Sequence, residues 1–349
     1  MKRIICLSLI LIFVFCGCER EKYEKYDFFA MNTFVSVICT DDSLSDLCEK
    51  TITDVENKFS RTLSDSEISK LNNDEDFAPS QETLNVLQQS LDIAGNTDFA
   101  FSPVLGTLTE LWNITSGENY VPSEDEIKTA LEYCNTLEVY INNENVVMQK
   151  GTKIDLGGVA KGYALQKTAE VMKKEAQQKN IPADFCISLG GNVAVSGVSE
   201  SRKNDGKSGW NVGITNPFDK ETILGSVVID EGFVSVSGAY ERYFEKDGQI
   251  YHHIFDSKTG FPAETDIASA VVYSKNGLEA DALSTALFVM GREKAEKFYK
   301  TGLYQFEMML VTKDGKIILS KGFDEKFSVQ EDLEDLNGDL FANNITVID

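Results

Sequence analysis

Both histidines of this 349-residue chain, His252 and His253, stand side by side at the end of an apparent strand, shortly before Asp256 and a turn at 258–260. A neutral imidazole can take a proton from an incoming hydroxyl, while Asp256 or a backbone carbonyl orients the ring. Adjacent residues of a strand point to opposite faces, so we expect only one histidine to face a site. A metal site built on both is disfavoured for the same reason, and zinc is not indicated without a cysteine cluster.

A carboxylate and a hydroxyl stand four residues apart in the segment "EADALSTAL", which is predicted to be helical. This spacing places Asp281 and Thr285 on one face of the helix, about one turn apart. Such oxygens, together with water, suit a hard cation such as Mg²⁺. On spacing alone a structural alternative is favoured, in which Thr285 bonds its own helix backbone and Asp281 is a solvated acid at the start of the helix.

A glycine turn in "DLGGVAKG" places Gly157 and Gly158 where a predicted strand passes into a helix, with Lys161 in the first helical turn. Unpaired backbone N–H groups at a helix start, approached over glycine and supplemented by a lysine, suit a phosphate. The string matches neither the P-loop nor the Rossmann fingerprint, so neither of those nucleotide sites is indicated. A purely structural turn is the favoured alternative when this segment is considered alone, and a tight turn also explains "SLGGN" at 188–192.

Strands outnumber helices along the chain and do not alternate with them regularly. We therefore predict an α+β fold, one compact domain with mixed and antiparallel sheets and flanking helices. The expected elements are a strand over 28–40, helices over 44–59 and 82–94, a helix starting at Ser123 with a capping box to Glu126, a hairpin around 142–145, a strand and a long helix on either side of the glycine turn, two helices within 277–300, and a hairpin turning at 313–316.

Composition restricts the partners. The chain is 42% hydrophobic and 26% charged, which is ordinary for a globular protein, but its formal net charge is −23. Such an acidic protein lacks the basic surface that holds DNA or RNA by its phosphates, so no nucleic-acid partner is expected. A small phosphate-bearing ligand remains compatible, because one lysine and a metal ion can offset its charge locally.

The first eighteen residues, "MKRIICLSLILIFVFCGC", have a basic start, an apolar run too short to span a bilayer, and a cysteine after small residues. "FCGC" resembles a bacterial lipobox, which predicts cleavage and lipid attachment at Cys18; simple secretion and an uncleaved anchor are the alternatives. We expect an extracytoplasmic lipoprotein anchored in a bacterial membrane. Four further cysteines, expected to be free core thiols with one disulfide as the alternative, are Cys39, Cys48, Cys134 and Cys186.

Several segments, taken in order, resemble the motif series of the ApbE family, the FAD:protein FMN transferases. The quoted segments are "MNTFVSV", "FAFSPVLGTLTELW", "IDLGGVAKGYA", "SLGGNVAVSG", "WNVGI", "VSVSGAYERYF", "HIFDSKTGFP" and "EADALSTALFVMG". The similarity spans roughly residues 28–322. It implies a signal peptide over 1–18, a spacer over 19–27 and a flavin transferase domain over 28–349.

The resemblance implies an activity. Members bind FAD and, with Mg²⁺, move its FMN half onto a threonine hydroxyl of an extracytoplasmic target protein, such as a flavin-carrying redox subunit, and release AMP. Some members instead hydrolyse FAD to FMN and AMP. A lipoprotein that only binds flavin is the third hypothesis.

The resemblance also implies roles for individual residues. His253 would act on the incoming hydroxyl, with Asp256 beside it. The metal would be held by the Gly158 carbonyl, Asp281 and Thr285. The flavin dinucleotide would be contacted by Met31, Thr62, Ala100, Phe101, Ser102, Asp155, Lys161, Ile254 and Thr259. Three positions depart from the family pattern: Asn32 replaces glycine, Ser102 replaces aspartate, and Thr62 stands where a tyrosine often contacts the flavin. Loss of that aromatic platform is expected to weaken FAD binding.

Overall fold

The computed structural model describes residues 23–114, 117–334 and 341–349. The predicted signal peptide, Cys18 and residues 19–22 of the predicted spacer lie outside these residues, whereas residues 24–27 of the spacer belong to the first strand. The described part has one mixed helix and sheet architecture, so the predicted α+β class is confirmed. None of its helices is long and apolar enough to cross a membrane.

The helices are α1 (Asp42–Phe59), α2 (Glu67–Asn72), α3 (Gln81–Asn96), α4 (Gly106–Trp112), α5 (Glu124–Leu131), α6 (Ala160–Lys179), α7 (Glu200–Asn204), α8 (Gly277–Tyr299) and α9 (Lys321–Asp324). The strands are β1 (Glu24–Ala30), β2 (Thr33–Cys39), β3 (Tyr140–Asn142), β4 (Asn145–Val147), β5 (Phe185–Leu189), β6 (Asn192–Ser196), β7 (Trp210–Asn216), β8 (Asp219–Ile229), β9 (Glu231–Gly238), β10 (Tyr243–Lys246), β11 (Gln249–His252), β12 (Ile267–Ser274), β13 (Phe306–Thr312), β14 (Ile317–Ser320), β15 (Phe327–Val329) and β16 (Ile345–Ile348).

A nine-stranded sheet organises the domain, in the order β1-β2-β5-β6-β9-β12-β13-β14-β16. All neighbours are antiparallel except β14 and β16, which are parallel. A three-stranded sheet, β15-β8-β7, and the hairpins β10-β11 and β3-β4 complete the strand structure.

Each face of the large sheet contributes to a separate core, because neighbouring residues of a strand point to opposite faces. In β12, Ala270 and Val272 belong to the core beneath α1, α6 and α8, whereas Val271 belongs to the core beneath the three-stranded sheet. A third cluster packs α4 and α5 against the β10-β11 hairpin around Trp112. The domain is therefore layered as helices, large sheet and small sheet.

Helices α6 and α8 touch through their backbones where both begin. A Cβ added at Gly162 would lie 2.1 Å from the Gly277 carbonyl oxygen and 2.6 Å from the Asp281 Cβ. A Cβ added at Gly277 would likewise lie only 2.4 Å from the Gly162 carbonyl oxygen. This crossing brings Lys161, in the first turn of α6, beside Asp281 of α8.

We expect Gly162→Ala to lower the free energy of unfolding by about 1–3 kcal/mol. The added methyl group would overlap the backbone of α8, so the two helices would have to move apart. Urea denaturation measures the change. Gly95→Ala is the matched control, since a Cβ there meets nothing within 4 Å and alanine is favoured over glycine in a helix. Equal stabilities of the two variants would show that the helix crossing tolerates a side chain.

Most predicted elements are present. The Ser123–Glu126 capping box forms, the 142–145 and 313–316 hairpins form, and α8 is interrupted at Gly291, whose φ is 73°. Two predictions are wrong in detail. The segment 28–40 is a hairpin rather than one strand, and residues 153–156 before the glycine turn form no strand.

The sequence does not reveal this hairpin, because the chain reversal leaves the alternation of buried and exposed side chains unchanged. Ala30 and Thr33 pair directly across a two-residue turn, Met31 and Asn32, whose φ values are 51° and 56°. This positive-φ pair is the geometry that two-residue hairpins favour, and asparagine tolerates it better than most residues. At the other site Ile154 exchanges both backbone hydrogen bonds with the Asn72 side chain, so it has none left for a sheet.

All four cysteines of the described residues are free, as predicted. Cys39, Cys48 and Cys134 are buried, and Cys186 is half-buried. Burial raises the pKa of Cys186 to about 12 and that of Cys134 to about 11, so both are unreactive thiols at neutral pH.

Candidate functional site

A cavity of about 790 Å³ opens where the β1-β2 turn, the glycine turn, α8 and the segment after β11 meet. Its volume is in the range of small-molecule and cofactor sites. Twelve of the residues predicted for a site line it: Met31, Thr62, Ala100, Phe101, Ser102, Asp155, Gly158, Lys161, His253, Ile254, Asp281 and Thr285. The structure therefore brings together segments that are distant in the sequence.

Asp281 is buried in the wall of this cavity, with 3% of its surface exposed. Its Oδ2 accepts a hydrogen bond from the Gly162 backbone N–H at 2.8 Å, and its Oδ1 lies 3.7 Å from the Lys161 Nζ. The alternative of a solvated acid at the helix start is therefore wrong. A buried carboxylate that keeps one oxygen toward a cavity is suited to binding a cation.

Thr285 lies beside the same carboxylate. Its Oγ1 is 3.2 Å from the Ser237 Oγ and 3.5 Å from the Asp281 backbone carbonyl, so the predicted bond to its own helix is long. Gly158 is also close to Thr285, since a Cβ placed on it would lie 3.9 Å from the Thr285 Oγ1 and 3.0 Å from the Phe101 ring. A larger residue at 158 would therefore press on Phe101.

These donors fit a hard divalent cation. The group offers a carboxylate, a hydroxyl and a backbone carbonyl, all oxygen ligands of the kind that Mg²⁺ prefers. No group of three His, Cys, Asp or Glu side chains that could hold a metal occurs among residues 23–114, 117–334 and 341–349. A metal at Asp281 would accordingly depend on this mixed set and on water.

Basic residues are more frequent around the cavity than in the strongly acidic chain as a whole. Lys161, Lys220, Arg61 and Arg242 line it, together with four acidic residues, Glu56, Asp155, Glu241 and Asp281. The Lys220 Nζ lies 5.7 Å and 5.3 Å from the ring centroids of two tyrosines, 240 and 243, within the range of cation–π contacts. Sequence analysis did not single out Lys220, Arg61 or Arg242, because only the folding of distant hairpins and loops brings them to the cavity.

The two histidines face different environments, as predicted. His253 lines the cavity, and its Nδ1 lies 3.2 Å from the Arg242 backbone carbonyl. In the tautomer with Nδ1–H, that nitrogen donates to the carbonyl and Nε2 is left to accept a hydrogen bond. Burial and the charge of Arg242 lower the pKa of His253 to about 3, so the ring is neutral at pH 7.

His252 points into the protein and does not line the cavity. Its Nε2 lies 3.2 Å from the Ala263 carbonyl oxygen, and its ring meets Phe288 edge to face at 5.6 Å. Burial lowers its pKa to about 4. His252 is a core residue.

Two predicted site residues, Asp256 and Thr259, lie outside the cavity lining. The Asp256 Oδ1 accepts a hydrogen bond from the Lys258 N–H at 2.8 Å, and its backbone bonds to Gly260 and Phe261 close the turn. A backbone carbonyl, rather than Asp256, therefore orients His253. Thr259 is exposed and accepts a long hydrogen bond from the Phe261 N–H at 3.4 Å.

The three departures from the family pattern have local explanations. Asn32 adopts the left-handed conformation of the hairpin turn. Ser102 is buried, and its Oγ lies 2.7 Å from the Thr136 Oγ1 and accepts from the Val104 N–H at 3.1 Å. Thr62 is exposed at the rim and lies near Ser60, so no aromatic ring occupies that position.

Comparisons with known proteins identify the family. The ApbE family model matches residues 31–310. An FAD:protein FMN transferase of Treponema pallidum (strain Nichols) is 34% identical over 252 residues, covering 68% of each chain. The Escherichia coli (strain K12) protein of the same name is 31% identical over 267 residues, covering 72% of this chain and 71% of that one.

Solved structures show the same fold. The crystal structure of the ApbE protein from Thermotoga maritima superposes with a TM-score of 0.77 at 30% identity, covering 87% of this chain and 99% of that one. The flavin transferase ApbE from Vibrio cholerae, at 24% identity, gives a TM-score of 0.74 with the same coverage. Sequence motifs, cavity and fold thus converge, and the chain belongs to the ApbE family.

Proposed function

We propose that this protein is an FAD:protein FMN transferase, which moves the FMN half of FAD onto a threonine hydroxyl of a target protein with Mg²⁺ and releases AMP. Relatives at 31–34% identity have the transferase name. The observation that supports the chemistry most is the buried Asp281 carboxylate, which lies in the cavity beside Lys161 and Thr285.

The basic residues of the cavity suit a dinucleotide diphosphate once a divalent ion offsets the acidic ones. Lys161, Lys220 and Arg242 supply positive charge, and the acidic residues Glu56, Asp155, Glu241 and Asp281 oppose it. The Gly158 carbonyl, Asp281 and Thr285 would hold the divalent ion. When bound, Mg²⁺ would neutralise the diphosphate oxygens and stabilise AMP as the leaving group.

His253 supplies the proton chemistry. A threonine hydroxyl is a weak nucleophile until a base begins to remove its proton. In the tautomer with Nδ1–H donated to the Arg242 carbonyl, Nε2 accepts that proton. The threonine oxygen then forms its bond to the FMN phosphorus while the bond from phosphorus to the AMP oxygen breaks. The negative charge of bound FAD raises the basicity of the ring.

Hydrolysis of FAD to FMN and AMP is the second candidate, because the same residues would act on water. Thr62 is the reason to consider it, since position 62 contributes no aromatic ring to hold the flavin, although other aromatic residues line the cavity, Phe59, Phe101, Tyr240 and Phe255. A loosely held flavin would leave more room for water beside the phosphorus. Binding of flavin without any reaction is the third candidate, and the release of AMP distinguishes it from the other two.

We expect Thr62→Tyr to tighten FAD binding by about 1–3 kcal/mol, because an aromatic ring would stack on a flat ring of the ligand. Titration of flavin fluorescence measures the dissociation constant. Thr62→Val is the matched control, since it removes the hydroxyl without adding a platform. Identical affinities for Thr62→Tyr and Thr62→Val would mean that position 62 does not contact the bound flavin.

Intact-mass measurement of a target tests the reaction. The protein is incubated with FAD, Mg²⁺ and a domain that carries an Asp-x-x-Ser/Thr-Gly-Ala-Thr-like acceptor segment. We expect the target to gain the mass of FMN, AMP to appear in equal amount, and both to disappear with EDTA. AMP release with no gain in target mass would support hydrolysis instead, and the absence of AMP would support binding alone.

The place of action is proposed from the N-terminal segment. We propose that lipid attached at Cys18 anchors the domain outside the cytoplasm on a bacterial membrane, where flavin-carrying redox subunits are the targets. The mass of the N-terminal peptide of the mature protein tests this anchor: the peptide should begin at Cys18 and carry acyl chains, and Cys18→Ser should carry none. A mature N-terminal peptide without acyl mass at Cys18 would contradict lipidation at this residue.

A further inference from the structure

Two phenylalanines are strongly exposed next to the cavity. Phe29 and Phe34 are 63% and 80% exposed, and their rings meet edge to face at 5.6 Å. They are direct cross-strand partners in the β1-β2 hairpin and lie on the face turned away from the core. Exposed aromatic pairs of this kind are unusual on a free surface and are typical of binding anchors.

The pair is joined directly to the wall of the cavity. The turn that follows Phe29 and precedes Phe34 contributes Met31, Asn32 and Thr33 to the cavity lining. Any polypeptide that reaches into the cavity over this turn passes the two rings.

The turn of the hairpin is packed against the rest of the domain. A Cβ added at Gly190, whose φ is 52°, would lie 2.8 Å from the Thr33 side chain, so the turn contacts the β5-β6 turn. Met31 and Asn32, with φ values of 51° and 56°, form the tight two-residue turn between the rings. The two rings therefore flank a turn that is packed in the cavity wall.

The charge around the pair favours a polypeptide over a membrane. Within β1 and β2 the charged side chains are Glu24, Lys25 and Asp27, so the hairpin has a formal charge of −1. Its one basic residue, Lys25, is paired with Asp27 at 3.1 Å, so the hairpin has no cluster of basic residues to attract anionic lipid. In the described chain β1 pairs only with β2, which leaves its outer edge open to an extended peptide.

We propose that Phe29 and Phe34 form the docking surface for the acceptor protein, which lays apolar side chains flanking its threonine on the two rings while the hydroxyl enters the cavity. The proposal rests on the proposed transferase function. The rings bind the polypeptide and take no part in binding FAD, so they set the Michaelis constant for the acceptor.

The test compares F29S/F34S with L137S/Y140S, a control that removes two other exposed apolar residues outside the cavity lining. The acceptor is the purified domain that carries the Asp-x-x-Ser/Thr-Gly-Ala-Thr-like segment. We expect F29S/F34S to raise KM for this domain at least tenfold with the Kd of FAD within twofold of wild type. The control should change KM less than twofold, and F29L/F34L should restore most of the affinity because its side chains are again apolar.

The remaining outcomes overturn the proposal in distinguishable ways. A wild-type protein that adds no FMN to the domain would refute the transferase function and the docking surface together. A wild type that adds FMN, with KM unchanged in F29S/F34S, would refute the docking surface alone. If KM is unchanged but F29S/F34S no longer binds phosphatidylglycerol vesicles, the rings contact a membrane instead. If KM is unchanged but a wild-type dimer seen in sedimentation is lost in F29S/F34S, the rings contact a second copy of the chain.

Discussion

Asp281→Asn should reduce FMN transfer at least 100-fold, with little change in the folded structure. The asparagine keeps an oxygen to accept from the Gly162 N–H, but it removes the negative charge that lies beside Lys161 in the cavity wall. Losing one preorganised electrostatic contact to the reacting centre costs roughly 10²–10³-fold in rate, and here the charged member of the proposed ion site is lost. Transfer to the acceptor domain, followed by intact mass, measures the effect.

Glu279→Gln is the matched control for this change. Glu279 lies two residues earlier on α8, is half-buried, and does not line the cavity. It should transfer FMN at the wild-type rate. If Asp281→Asn were as active as Glu279→Gln at saturating Mg²⁺, the carboxylate at 281 would have no part in the reaction.

His253→Ala should lower the transfer rate by about 10²–10⁴-fold, the usual contribution of a positioned general base. FAD binding should weaken only a few-fold, since the proposed role concerns the incoming hydroxyl. His252→Gln is the control: it should lower the melting temperature, because His252 packs on Phe288 in the core, and leave kcat within threefold. A normal kcat in His253→Ala would show that another group acts as the base.

The two histidine rings also make the folding stability depend on pH. His253 and His252 have pKa values lowered to about 3 and about 4, whereas an unfolded histidine has its ordinary value near 6.5. Between these values the unfolded chain binds more protons than the folded one, so folding stability falls as the pH drops from about 6.5 toward 4. Above pH 7 both histidines contribute no pH dependence. Thermal unfolding of the wild type and of His252→Gln across this range measures the contribution.

Spacing in the sequence predicted which residues lie together within one element, although on spacing alone a structural role for Asp281 and Thr285 was favoured. Asp281 and Thr285 share a helix face because they are one turn apart, and the opposed environments of His252 and His253 follow from the strand period. The resemblance to the ApbE family then connected these parts, and the cavity contains twelve of the residues it implied.

Features created by tertiary contact could not be predicted in this way. The Asn72 side chain makes both backbone hydrogen bonds of Ile154, so no strand forms there although the residue types of that segment favour one. Arg242 orients His253 through a backbone carbonyl, which has no signature in side-chain chemistry, whereas Asp256 was the more conspicuous partner in the sequence. Lys220 reaches the cavity only because the β7-β8 hairpin folds toward it.

The proposed function requires FAD and a divalent ion to bind together where the start of α6 meets α8. A crystal of the protein grown with FAD and Mn²⁺, measured at the manganese absorption edge, tests this requirement directly. We expect an anomalous peak within coordination distance of the Gly158 carbonyl, the Asp281 carboxylate and the Thr285 hydroxyl, next to the FAD diphosphate. A peak elsewhere, or FAD bound outside the cavity, would contradict it.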